Sequence, residues 1–251
     1  MSTVPPVDFN RNAVSPVECL KGGWNMIKNQ YWLILGMVIV GWMIASAVPF
    51  GILMGPMMCG LFLTFFKMRR GEPIEFGTLF KGFEYLGQSI VATLIHVVPL
   101  TLLIVGAYIA FYVFFLFAMV AQSQAGGEPN GAAMLLMLVV YAVFWIAVIA
   151  LVMFLSIGFM FVYPLIVDRN LQGLDAIKMS FRGAFANFWG LLGMMFLNFL
   201  LSVAGLLCCL VGVYFVLPIS YSAVAIAYEQ IFGLRQVAPA PNVPPPPPVF
   251  T

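Results

Sequence analysis

Residues 31–66, YWLILGMVIVGWMIASAVPFGILMGPMMCGLFLTFF, contain no Asp, Glu, Lys or Arg, and whether they form one membrane span or two decides the fold. About 20 mostly apolar residues cross the hydrocarbon of a bilayer as a helix, so this stretch is long for one crossing and short for two. Pro49, Gly51, Gly55 and Pro56 sit near its middle, where breakers favour a turn. The stretch therefore reads as a tight helical hairpin.

Three further charge-free intervals follow, 86–122, 132–167 and 186–228. The first two are separated by the polar stretch SQAGGEPNG (123–131) and read as one long span each, with Pro99 a candidate kink in the earlier one. The last carries Gly205 and Gly212 around Cys208-Cys209, with Pro218 beyond, and reads as a second hairpin. The expected fold is all-α, a polytopic bundle of six transmembrane spans. Composition agrees: 63% of residues are apolar and 8% charged, with a mean hydropathy of +1.05, far from soluble averages. Transmembrane barrels alternate apolar and polar residues over about 10 positions, and no such alternation occurs here.

Charge fixes the expected orientation. Basic residues near spans stay on the cytoplasmic side, and six spans place all eleven (Arg11, Lys21, Lys28, Lys67, Arg69, Arg70, Lys81, Arg169, Lys178, Arg182 and Arg235) on that side. A single span over 31–66 would set Lys67, Arg69, Arg70 and Lys81 across from Lys21 and Lys28. Both termini are thus expected in the cytoplasm, and Glu128 is the one charge in the outer turns. The first 30 residues carry Asp8, Arg11, Glu18, Lys21 and Lys28 with no apolar core, which argues against a cleaved signal. A formal charge of +2, spread along the chain, gives no footprint for nucleic acid.

The chain also repeats itself. VECLKGGWNMIKNQYWLILG (17–36) and LDAIKMSFRGAFANFWGLLG (174–193) superpose at a shift of 157 positions, with Glu18 on Asp175, Lys21 on Lys178 and Tyr31-Trp32 on Phe188-Trp189. In each copy large apolar residues recur every three or four positions (Val17, Leu20, Trp24, Ile27, Tyr31; Leu174, Ile177, Phe181, Ala184, Phe188) beside a charged stripe. That pattern suits amphipathic helices lying in the headgroup layer. Ser15-Pro16-Val17-Glu18 supplies start signals for the first. A weaker third copy covers 73–87, where Phe76, Leu79, Phe80, Phe83 and Leu86 make an apolar face.

Amphipathic interfacial helices are thus expected before spans 1, 3 and 5. The membrane domain, 15–235, divides into parallel repeat-like units 15–70, 73–167 and 172–233. Residues 1–14 are expected to be a disordered N-terminal segment. Residues 236–251, QVAPAPNVPPPPPVFT, are expected to be a proline-rich disordered cytoplasmic tail. Five consecutive prolines favour polyproline II, which makes the tail a candidate ligand for a cytoplasmic protein partner.

Gly55-Pro56-Met57-Met58-Cys59-Gly60, Arg70-Gly71-Glu72, Leu79-Phe80-Lys81-Gly82-Phe83, Tyr163-Pro164-Leu165-Ile166-Val167-Asp168-Arg169 and Ala176-Ile177-Lys178-Met179-Ser180 carry a family resemblance. Over roughly residues 15–233 the chain resembles uncharacterised bacterial six-span integral membrane proteins, themselves similar to the membrane domain of glycerophosphodiester phosphodiesterases. The resemblance implies a fold and a bacterial inner-membrane address, and no activity.

Ionisable residues inside a membrane are the default functional candidates, and His96 is the only histidine, without an intramembrane carboxylate to pair it. Thr93, a carbonyl near Pro99 or water are its expected partners. Glu229 is expected to reach the headgroups. Asn198 and Ser202, with Ser220, Tyr221 and Ser222, read as interhelical hydrogen-bond glue rather than a solute path. Gly51 and Gly55 match GxxxG but suit a tight turn, and Gly22-Gly23 a close approach. Cys19, Cys59 and the pair Cys208-Cys209 show no metal-ligand spacing. One histidine without a paired nucleophile supplies no catalytic set. No catalytic, cofactor-binding or metal residue is assigned and no cofactor is expected. The chain reads as a non-catalytic organiser or adaptor contacting membrane lipids, with a transporter or permease subunit as the alternative.

Overall fold

The computed structural model describes residues 9–48, 51–124, 131–208 and 211–235. Pro49, Glu128, Cys209 and the tail 236–251 lie outside the described residues, as do residues 1–8 of the N-terminal segment. Among the described residues all regular structure is helical: α1 (Pro16–Ile27), α2 (Tyr31–Ala47), α3 (Met54–Arg69), a 3-10 helix (Phe76–Tyr85), α4 (Leu86–Gln124), α5 (Gly131–Phe159), α6 (Val162–Arg169), α7 (Gly173–Ala186), α8 (Phe188–Cys208) and α9 (Gly212–Phe232).

Among the described residues five stretches are long and apolar enough to cross a membrane: Pro16–Ala47, Phe76–Gln124, Met134–Arg169, Phe188–Cys208 and Gly212–Phe232. The 31–66 stretch does break into two helices, α2 and α3. Gly51, at φ +59°, takes the left-handed conformation that a tight turn requires. Yet α3 has only 16 residues, about 24 Å at 1.5 Å per residue, and falls short of that length. It is also well enclosed: Met57, Cys59, Leu61, Phe62, Phe65 and Phe66 are all buried.

The three lead helices pack in rotation. The 76–85 helix lies on α3, α7 lies on α5 and α6, and α1 closes the circle on α9. The contact face shares only Ile27 and Ala184 with the expected apolar one. In α1 the buried positions are Cys19, Gly23 and Ile27; 157 residues on, Ala176, Ser180 and Ala184 are buried in α7. Val17, Trp24 and Leu174 instead stay about half exposed. Small residues turn inward because the crossings are backbone-close. A Cβ on Gly23 would meet Ser222 Oγ and the Ala223 nitrogen, and Ser180 Oγ donates to the Gly158 carbonyl at 2.6 Å while accepting from Phe161 N–H.

The third lead helix differs from the expected amphipathic α-helix. Residues 76–85 wind as a 3-10 helix, opened by a capping box between Glu75 and Thr78. Of its apolar face only Leu79 is buried, while Phe76, Phe80, Phe83 and Leu86 remain exposed. The tighter winding aligns positions three apart, and Leu79 and Gly82 press against α3, Gly82 on the Pro56 carbonyl and Gly60 on the Leu79 carbonyl.

Two elbows also match. Between α1 and α2, Gln30 has φ −127° and ψ 28°; between α7 and α8, Asn187 has φ −122° and ψ 24°. Each returning helix is followed by a left-handed residue: Gly71 after α3, Asn170 after α6 and Gly233 after α9. Glycine or asparagine there frees the last carbonyls to be capped. Phe66, Phe161 and Tyr228, all fully buried, fill the space where α3, α6 and α9 converge. The Tyr228 ring lies 5.4 Å from Phe66 and 6.3 Å from Phe161.

α4 and α5 stand apart from this core. α4 runs 39 residues through Pro99 yet buries only Ser89, Ala92 and Thr93 near its start. Farther along it meets α5 through aromatic pairs, Tyr108 with Trp145 at 4.7 Å and Phe111 with Tyr141 at 4.8 Å.

Candidate functional site

The richest polar constellation gathers at the ends of the three returning helices. Asp168, the penultimate residue of α6, has a side chain fully removed from solvent. Tyr228 of α9 donates its hydroxyl to Oδ2 at 2.9 Å, and the Arg235 backbone N–H lies 3.2 Å from both carboxylate oxygens. Arg70, capping α3, reaches Oδ1 with Nη2 at 3.3 Å. Arg169 Nε sits 3.2 Å from Oδ2 as an ion pair, without the alignment of a hydrogen bond. One carboxylate thus ties together α3, α6, α9 and the strand of chain leaving α9.

The arginines extend the node. Arg169 Nη2 donates to the Phe232 and Gly233 carbonyls at 2.8 and 3.1 Å, satisfying groups that the end of α9 leaves without helical partners. Beside it, Arg69 grips Glu229 through two 2.7 Å bonds in the planar bidentate form. Chemically the arrangement is an electrostatic clasp. The carboxylate oxygens are already engaged by Tyr228, the Arg235 backbone and the Arg70 and Arg169 guanidinium groups.

Glu229 therefore pairs with Arg69 instead of reaching for headgroups, a partner 160 positions away that no local pattern marks. His96 does not bond Thr93, one of its expected partners. Its ring stacks on Phe159 at 4.3 Å and its Nε2 is buried without a hydrogen bond, because Thr93 spends its hydroxyl on the Ser89 carbonyl and Tyr163. Of the polar residues read as interhelical glue, Ser220 does bridge α9 to α8, donating to Asn198 Oδ1 at 3.1 Å, whereas Ser202 bonds back to the Asn198 carbonyl and Ser222 to the Ile219 carbonyl, each within its own helix. Tyr221 accepts from Trp42 Nε1 at 3.1 Å. Gly55 backs onto α4 at Ser89 and Thr93, and Gly22 onto Ile226. Cys19 and Cys59 are buried free thiols and Cys208 is an exposed one.

Asp168 was within reach of sequence reasoning as part of the YPLIVDR motif, but it sits one residue past a charge-free interval and so escapes a search for intramembrane charge. No family model, curated protein or solved structure matches the chain.

Proposed function

We propose that the protein is a six-span integral membrane protein of the bacterial inner membrane that organises or adapts other membrane components without catalysing a reaction. In this reading both termini are cytoplasmic, and α1, the 76–85 helix and α7 lie at the interface ahead of spans 1, 3 and 5, in three parallel repeats. The observation that carries it is the clasp itself. Arg70, the last residue of the first unit, and Arg169 and Arg235, each two residues beyond the second and third, meet at Asp168, which supports a reading in which all three units end on one face. Return to one face requires an even number of crossings between them, and α3 with its preceding turn supplies the sixth.

The same geometry favours an organiser over a permease. Phe66, Phe161 and Tyr228 occupy the centre of the bundle, and Asn198 and Ser220 satisfy each other. What remains on offer is surface: Lys178, 72% exposed in its side chain, with Arg182 one turn further along the outer side of α7, and the tail 236–251.

Two measurements test this. With native cysteines replaced, a cysteine at Ser46 should react with an impermeant maleimide added from outside, and one at Lys28 only after the cytoplasmic face is opened; the reverse pattern, or both from one side, removes the six-span orientation. Native mass spectrometry after gentle extraction should reveal a protein partner that is lost on deleting residues 236–251 or neutralising Lys178 and Arg182. A bare protomer carrying a defined small solute would favour transport instead.

A further inference from the structure

At the Asn187 elbow the chain holds an extended segment of itself. Asn187 accepts from Ala13 N–H at 2.8 Å and donates to the Asn10 carbonyl at 2.9 Å. From the end of α9, the Gln230 side chain accepts from Ser15 N–H and its carbonyl from Asn10 Nδ2, while the Ile231 carbonyl takes Asn10 N–H at 2.8 Å. Residues 10–15 thus fill a groove between an elbow and the last turn of a returning helix.

The Gln30 elbow has the same groove, and it is open. Gln30 stands where Asn187 does in the 157-residue shift and shares its backbone angles. Met68 and Arg69 precede the left-handed Gly71 by three and two residues, as Gln230 and Ile231 precede Gly233. These residues, with Asn25, Asn29 and Glu72, line a cavity of about 400 Å³. Among the described residues nothing fills it, and the side-chain amides of Asn29 and Gln30 have no hydrogen-bond partner there.

We propose that this groove is a docking site for an extended peptide segment and that its occupant is the chain's own residues 236–251. Three observations select that segment. The described chain departs beside the groove: the Arg235 carbonyl accepts from Arg70 Nη2 at 3.3 Å, and Arg70 adjoins the lining residue Arg69. Sixteen further residues reach up to about 50 Å when extended, far more than the width of the groove. The chemistry also matches. Residues 236–251 carry no charge, and seven of the sixteen are prolines, so their carbonyls outnumber their N–H groups. Asn25, Asn29 and Gln30 offer amide N–H groups, and Arg69 and Glu72 already have counter-ions in Glu229 and Lys67, so the groove makes no net demand for charge. The inference needs the groove alone and does not depend on the adaptor role.

The test is photo-crosslinking of the full-length protein in native membranes, with p-benzoylphenylalanine at Asn29 and, separately, at Glu72. Each should give an adduct within one chain that maps to residues 236–251, whereas the same probe at Ser46 should give none. With the probe at Glu72, combining Asn25→Ala and Gln30→Ala should lower the yield at least fivefold. Adducts to lipid, to another protein, or between isotopically heavy and light copies would overturn the assignment, as would no adduct from either position.

Discussion

Replacing Asp168 with alanine should cost the bundle about 3 kcal/mol, seen as a fall in unfolding midpoint in a detergent titration. Removing one partner of a buried ionic set costs roughly 3–5 kcal/mol because the opposite charge is left uncompensated. The low end applies because Arg70 and Arg169 retain 24% and 25% side-chain exposure while Asp168 has none, so water relieves the guanidinium groups in part. Tyr228 gains no such relief. It is fully buried and loses its acceptor at 2.9 Å, which adds the cost of an unsatisfied hydroxyl. Glu229→Gln serves as the contrast. Its pair with Arg69 has 29% and 41% side-chain exposure, and exposed ion pairs contribute about 0–1 kcal/mol. Equal losses from the two substitutions would remove the clasp as the main polar tie.

Gly60→Ala should do still more damage. A Cβ at Gly60 would lie inside contact distance of the Leu79 carbonyl, and one at Gly82 inside that of the Pro56 carbonyl. Both obstacles are backbone, so no rotamer change clears them, and the α3 crossing has to open. Overpacking against side chains costs about 1–3 kcal/mol; a clash against the backbone of the 76–85 helix should exceed that range and reduce the yield of folded protein. Gly77→Ala, with nothing within 4 Å of the added methyl, should leave stability unchanged. Because Gly60 and Gly82 form one crossing, Gly60→Ala with Gly82→Ala should cost less than the sum of the single effects. Unchanged unfolding of Gly60→Ala would mean that the 76–85 helix does not sit on α3 as described.

Much of the helical layout could be read from residues alone, and for identifiable reasons. Gly51 marks the α2–α3 turn because only the chain's breakers interrupt its apolar run, whereas Gly55, expected in the same turn, lies inside α3 and serves the contact with α4. Ser15-Pro16 locates the start of α1 at the right residue, although Ser15 makes no side-chain cap bond. The shift between 17–36 and 174–193 anticipates matched elbows and matched buried positions. Hydrophobic period, however, finds the face that leaves water, not the face that meets protein. In a lipid setting the two separate: Val17 and Trp24 point outward while Cys19 and Gly23 pack. Size, not polarity, marks such contacts. The 3-10 winding of 76–85 and the pairing of Glu229 with Arg69 depend on tertiary neighbours, which no window along the chain contains. Asp168 and Asn187 are single polar residues in ordinary contexts, and their roles exist only once distant segments arrive around them.

The closing of α1 onto α9 has a consequence for biosynthesis. Gly23 and its neighbour Ser222 are separated by almost the whole chain. At about 5–20 residues per second of synthesis, α1 waits roughly 10–40 s for the helix that covers Cys19, Gly23 and Ile27. During that interval the main partner of the first helix is missing, and only late in it does α8 arrive to touch α1. α9 is therefore the helix that commits the first, and a ribosome that stalls before α9 leaves the fold unclosed.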